Sequence, residues 1–205
     1  TNSQKAIQIA MKAKGMMRQF KQNLIIGNET ATPKTFNGIN RICVNESREA
    51  AIAADGGAIT LSAIDALLDE VKNGADVLIM RQGTLRALKA LWRDAGGNTG
   101  GSLQINNFGL SVPAHDGIPI IVNDFIPGNV TQGSSVGNTC SIYAIRFNEA
   151  DGLHGLYGGP AAGFRIEDIG TVQNKDATRT RIKWYHSLAL RSTQSIYALR
   201  GITNV

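Results

Sequence analysis

Several stretches of this 205-residue chain carry side chains that could do chemistry, and their neighbours decide each case. Gly133 to Gly137, "GSSVG", has the spacing of a nucleophile elbow. That device needs a strand before the serine and a helix after it, so that the hydroxyl stands on a strained turn. Here "IPGNVTQ" precedes the serine and a strand pattern, "NTCSIYAIRF", follows, so the elbow fails. "GGNTGGS" has the glycines of a phosphate loop, but it lacks the lysine and follows a helix instead of leading one. His115 and Asp116 could be half of an acid–base pair, yet "HDG" before "IP" is a turn signal. Glu149, Asp151 and His154 lie close together, with the spacing of neither a calcium loop nor a zinc motif. His186, between Trp184 and Leu188 on an apolar strand face, reads as a hydrogen-bonded core histidine. Cys43 and Cys140 form no CxxC and read as buried, reduced thiols. Nothing assembles a nucleophile, a base and an oxyanion site. The expectation is a protein that is not an enzyme, with no catalytic residue, no metal and no cofactor.

Charge carries more information. The net charge is +5, but its distribution is uneven. Residues 1–27 hold five basic side chains and no acidic one, and residues 175–205 hold six basic and one acidic. The middle, 28–174, holds ten basic and fifteen acidic. Such asymmetry points to structural parts with different electrostatic surroundings. No stretch approaches the roughly 18 consecutive apolar residues of a membrane helix, so no membrane contact is expected.

The elements that must position these charges follow from periodicity. "SQKAIQIAMKAKGMMRQFKQNLII" predicts a helix stopped by Gly27, with Ala6, Ile9, Ala10, Ala13, Met16, Met17, Phe20 and Leu24 on one arc. At 1.5 Å per residue it runs about 35 Å. Lys5, Lys12, Lys14, Arg18 and Lys21 flank the arc, while Ile7 and Met11 project from the far side. "PKTFNGINRICV" predicts a turn and a short strand. "ITLSAIDALLDEVKNG" predicts a helix capped by Thr60 or Ser62 and closed by Gly74. "ADVLIM" is a wholly buried strand, and "QGTLRALKALWRDAGG" a helix turning Leu85, Leu88, Leu91 and Trp92 inward. "GGNTGGSLQINNFG" reads as a mobile loop that holds Gly96, Gly97, Asn98, Gly100 and Gly101. "LSVPAHDGIPIIVNDFIP" predicts two strands around a turn at His115–Gly117, and "SIYAIRF", "GFRIEDIG" and "SIYALRGI" predict three more.

"TRTRIKWYHSLALRS" is the last piece. Arg179, Arg181, Lys183, Tyr185 and Arg191 alternate with Thr180, Ile182, Trp184, His186, Leu188 and Leu190. A strict period of two predicts one long strand with an apolar face and a basic face. At about 3.3 Å per residue it could extend about 46 Å, well beyond the usual strand. The first helix is expected to dock on it through Met16 and Phe20.

Taken in order, the long helix, "LIIGNETATPKTFNGI", "DVLIMRQGTLRALKALWRDAGG", "GIPIIVNDFIP" and the closing strands resemble the major capsid proteins of tailed bacteriophages, along essentially the whole chain. The resemblance implies an α+β, Hong Kong 97-like capsid fold: an elongated peripheral domain, with a long spine helix on a long-stranded sheet, plus an inserted α/β axial domain. Residues 1–45 would be the first peripheral part, 46–162 the axial domain, 163–191 the second peripheral part, and 192–205 an axial strand. It further implies a subunit that assembles with itself into pentamers and hexamers of an icosahedral head around double-stranded DNA. Such a head is located in the virion and assembled in the host cytoplasm, with portal, scaffold or protease as further partners. Lys5, Lys12, Lys14, Arg18, Lys21, Arg179, Arg181, Lys183 and Arg191 are then candidates to meet either packaged phosphate, without sequence specificity, or neighbouring carboxylates. An encapsulin-like compartment shell is the alternative within this fold; its inner wall would need an apolar groove for a cargo peptide and no strong positive field. A monomeric, non-specific nucleic-acid-binding protein is the alternative from another class.

The family's N-terminal arm and extended loop precede the spine helix, whereas this chain opens at Thr1 almost inside that helix. The expectation is a trimmed polypeptide that folds as a monomer or weak oligomer and leaves Ile7 and Met11 wet.

Overall fold

The computed structural model describes residues 3–96, 100–104, 111–159, 163–175 and 177–203. The first helix, α1, spans Gln4–Ile26. Ile9, Ala13, Met16, Phe20 and Leu24 form its half-buried stripe, and Ile25 is fully buried. Ala6, Ala10 and Met17, expected on the packed arc, stay exposed. What lies beneath most of α1 is a ladder only two strands wide, and strands about 4.8 Å apart cover one stripe of a helix about 10 Å across. Gly27 does end the helix, but not through left-handed backbone: its φ is −54°. It is needed for close approach. A Cβ there would strike the carbonyls of Asn23 and Phe36, and a Cβ on Gly38 would strike that same Asn23 carbonyl and the backbone of Ile25 and Gly27. The Gly38 N–H donates to the Gly27 carbonyl at 2.9 Å, so residues 28–37 return to the helix end as a closed loop.

The expected strand in "INRICV" is a helix, α2 (Ile39–Asn45). Ile39 and Cys43, four residues apart, are its buried side chains, which is the spacing of one helix face. The helix α3 (Leu61–Asp69) begins at Thr60, whose hydroxyl accepts from the Ala63 N–H at 3.2 Å. It buries Ile64 and Leu67 and ends before Gly74. The helix α4 (Gln82–Asp94) buries Thr84, Leu85, Leu88 and Trp92.

These helices serve one mixed sheet. Its strands are β1 (Glu49–Ala51), β2 (Val77–Met80), β3 (Gly100–Gln104), β4 (Ser111–His115), β5 (Ile118–Val122), β6 (Val130–Gln132), β7 (Ser135–Ile145) and β12 (Ile196–Ile202). The order is β1-β12-β7-β2-β5-β4-β3, with β6 also paired to β7. β1 runs parallel to β12 and β2 parallel to β5; the other pairs are antiparallel. β2 is apolar and buried at every position, as its sequence predicts for a central strand. The core gathers around it: Leu78, Met80, Leu88, Cys140, Ile142, Tyr143, Ile145, Ile196 and Ile202 are all essentially inaccessible.

The loop expected at residues 96–109 is corrected in part. Gly100 and Gly101 lie in β3, where Gly100 pairs with His115 and Gly101 with Ala114. Glycines leave a strand without side-chain alternation, so only backbone pairing reveals it. Gly96 lies just past α4 with φ +83°, while Gly97 and Asn98 lie outside the described residues. The turn at Asp116–Gly117 is as expected; both residues have positive φ, the conformation a two-residue hairpin requires.

Two further ladders lie off the central sheet. β9 (Phe164–Thr171) pairs antiparallel with β10 (Thr178–Trp184), and β8 (Leu153–Tyr157) with β11 (His186–Leu190). The single long strand expected over 178–191 is therefore two strands that change partners at Tyr185. Tyr185 donates its N–H to the Gly163 carbonyl and accepts at its own carbonyl from the Gly158 N–H. Its extended backbone carries the alternation through the break, so the sequence shows no interruption.

Candidate functional site

The residues that could have been catalytic are structural. Gly133 and Ser134 form the tight turn between β6 and β7, a strand–turn–strand unit that presents no elbow. The Asp55 carboxylate accepts from the Ser134 N–H at 2.8 Å, and those hydrogen bonds hold its pKa below the usual range. His115 is buried, and its Nε2 lies 2.8 Å from the exposed Asp65 carboxylate on α3. Its ring stacks on Trp92. The acid hydrogen-bonded to it is thus Asp65, fifty residues away in sequence, while the carboxylate of Asp116, in the turn, lies within 4.8 Å of both. Both cysteines are buried: desolvation pushes Cys43 up to about 12, and it also raises Cys140, which lies 3.1 Å from the Thr84 hydroxyl.

His186 is half-buried, not a core residue; it hydrogen-bonds the Trp184 backbone, while its Nδ1 has no hydrogen-bond partner among the described residues. It sits in an aromatic cluster. Phe20 packs its ring 4.7 Å from His186 and 5.0 Å from Trp184, and Phe36 closes on both Phe20 and His186. The expected docking of α1 through Phe20 onto Trp184 is what the structure contains. Beside the cluster an open groove of about 810 Å³ runs between α1, the segment 32–36 and the paired β8 and β11, lined among others by Met16, Phe36, Leu156 and Tyr157. Desolvation among these rings lowers the His186 pKa.

The basic candidates do not form one surface. β10 turns Thr180, Ile182 and Trp184 toward α1, so Arg181 and Lys183 project from the opposite side of the ladder. β9 supplies their partners: Glu167 accepts from the Lys183 ammonium at 3.0 Å and stands directly across from Arg181. On the helix side, Asp168 holds the Lys5 ammonium at 2.6 Å. These hydrogen bonds lower the pKa of both carboxylates. Two of the nine candidates are thus ion-paired among the described residues. Arg18 lies over the Phe125 ring at 5.5 Å, Lys12 borders a groove between α1 and β10, and Lys14, Lys21, Arg179 and Arg191 are exposed.

Sequence reasoning missed one basic stripe. Arg86, Lys89 and Arg93 lie on an exposed face of α4 that flanks the buried Leu85, Leu88 and Trp92. Their spacing was legible, but they fall in the segment whose net charge is negative.

The remaining feature is apolar surface without an owner. Ile7, Met11 and Met17 are 47%, 68% and 51% exposed on α1, and Ile166 and Ile169 are exposed on β9. Isolated apolar residues are common on surfaces, but Ile7 and Met11, one turn apart, share the far face of α1, while Met17 flanks its packed stripe.

Comparison with known proteins gives two kinds of match. The family model described as SU10 major capsid protein matches residues 1–142. No curated protein matches the sequence at a significant level. Among solved structures, the holo-SrpI encapsulin complex from Synechococcus elongatus PCC 7942 is similar, with 20% identity and a TM-score of 0.77 over 98% of this chain and 67% of that one. The capsid of a native GTA particle is similar at 11% identity and a TM-score of 0.61, over 97% of this chain and 66% of that one. The empty GTA particle's capsid gives 10% identity and 0.57, over 96% and 66%. The chain thus spans about two thirds of the length of these shell proteins and shares their α+β fold.

Proposed function

The chain belongs to the SU10 major capsid protein family, and from that premise we propose that it is the repeating subunit of an icosahedral phage head enclosing double-stranded DNA. Family membership makes it a structural protein and not an enzyme. In the proposed arrangement the fold is Hong Kong 97-like. α1 serves as the spine helix of a peripheral domain, and the central sheet with α3 and α4 serves as the axial domain around five-fold and six-fold axes. The ladder of β8 with β11 supports counting β8 with the peripheral part, although it precedes residue 163. The partners would be further copies of the chain, packaged DNA, and portal, scaffold or protease; the place of action would be the virion, after assembly in the host cytoplasm.

The observation that carries this reading is α1 itself. A 23-residue helix that fully buries one side chain within its own chain is weakly held as a solitary element. With Ile7, Met11 and Met17 left in water it gains its remaining cover only from neighbours. Electron microscopy of the full-length gene product tests the proposal. Closed particles containing DNA are expected; a dispersed monomer at high concentration would overturn it.

The compartment-shell reading has one observation in its favour, the apolar groove beside α1, which could seat a cargo peptide. Particle contents separate the two: nucleic acid supports the head, and co-purified enzyme the compartment.

A further inference from the structure

We infer that the exposed face of α4 carrying Arg86, Lys89 and Arg93 is a phosphate-binding band for the backbone of duplex DNA. The inference rests on the proposed head and names the part of the subunit that faces its contents. Arg86, Lys89 and Arg93 recur at three- and four-residue spacing, so they form one exposed stripe of α4. It spans about 10 Å at 1.5 Å per residue, comparable to the reach between nearby phosphates of one strand. None of the three is in an ion pair among the described residues.

The segment after β5 links the start of α4 to α1. The Ile126 carbonyl accepts from Arg81 at the start of α4, at 3.1 Å, while the neighbouring Phe125 ring lies under Arg18 of α1. Two basic helices distant in sequence therefore meet at residues 125 and 126. Asp94 and Asp124 are the carboxylates next to the band in sequence, and neither forms an ion pair with it among the described residues. The outer face of β10 is another candidate for this role. It is the poorer one, because Glu167 already holds Lys183 and faces Arg181. A regular row of unpaired cations suits a regular row of phosphates, whereas a protein neighbour would have to supply carboxylates at the same spacing.

The test measures binding of a short random-sequence duplex to the 205-residue chain across a salt series. Each phosphate contact contributes about 0.9 to the slope of log affinity against log salt. The variant R86Q/K89Q/R93Q changes only exposed side chains, and its slope should be shallower by about three units, with weaker binding to all sequences alike. The pair R179Q/R181Q on β10 should change the slope by less. Absent duplex binding by the parent chain, or an unchanged slope in the triple variant, overturns the inference. So does a triple variant that keeps duplex binding but stops the full-length protein from forming particles, which would make the stripe a contact between subunits. If the slope falls as expected but the full-length protein forms no particles, the band stands and the head reading falls.

Discussion

Replacing Phe20 with Ala tests how α1 is held. The ring contacts Trp184, His186 and Phe36 but is only half-buried, so the full loss of about 3–5 kcal/mol for a core Phe→Ala does not apply. Taking about 100 Å² of the roughly 150 Å² of an aromatic side chain as covered, at about 25 cal/mol per Å², gives about 2.5 kcal/mol. Compaction of the unfolded chain reduces this to about 2 kcal/mol. For a chain of this size that is a fall in Tm of about 4–8 °C. Thermal unfolding followed by near-ultraviolet circular dichroism reads it directly. α1 also carries its own reporter, since Lys12, Lys14, Arg18 and Lys21 are tryptic sites on its surface. Because α1 is held by one stripe, Phe20→Ala should raise its local opening and accelerate cleavage there before the core yields. Met17→Ala, on the exposed side, should do neither. A Tm and a cleavage rate both unchanged by Phe20→Ala would show that α1 is not held through this cluster.

Three further outcomes follow from the same contacts. Both thiols should resist Ellman's reagent in the native chain and react only in denaturant, since burial removes access and pushes Cys43 up to about 12; fast labelling of either would contradict the core described. His186 has its pKa lowered by desolvation, so the unfolded chain, titrating near about 6.5, takes up the proton first as pH falls. Its stability contribution is present above that pH and declines below it. His186→Phe should therefore lose less Tm than the parent between neutral and mildly acid solution, and parallel losses would refute the assignment. Gly38→Ala forces a methyl group into the backbone of α1 and should cost about 2 kcal/mol or more, whereas Gly155→Ala, with open space around it, should be close to neutral. Equal Tm values for these two variants would remove the close-approach argument.

What the sequence disclosed depended on how many residues shared a signal. α3, α4 and β2 were legible because each places three or four apolar residues at one period. α2 was not: two buried residues four apart, Ile39 and Cys43, are too few to outweigh the β-branched look of "INRICV". The division of 178–190 into β10 and β11 was hidden because Trp184 and His186 keep the same parity on either side of Tyr185. β3 was hidden because glycines carry no pattern. In the basic surfaces, charge totals pointed to the chain ends, yet acids on β9 occupy Lys5 and Lys183 while the stripe on α4 sits inside an acidic average. Pairing across the fold decides which cations are available, and one-dimensional counting does not see pairing.

The position of β12 sets an order of events. It follows every other strand among the described residues, yet it lies inside the sheet between β1 and β7, pairing Glu49 with Ala198 and Ile145 with Ile196. β1 is made about 150 residues earlier and waits for it, which at about 5–20 residues per second is roughly 8–30 s of synthesis. Through that interval the core lacks Ile196, Ala198, Leu199 and Ile202, all buried in the finished body. β12 is the keystone of the arch: the ribosome must deliver residue 202 before the sheet can close. Until β12 is in place, a nascent chain thus has no completed central sheet to offer a neighbour.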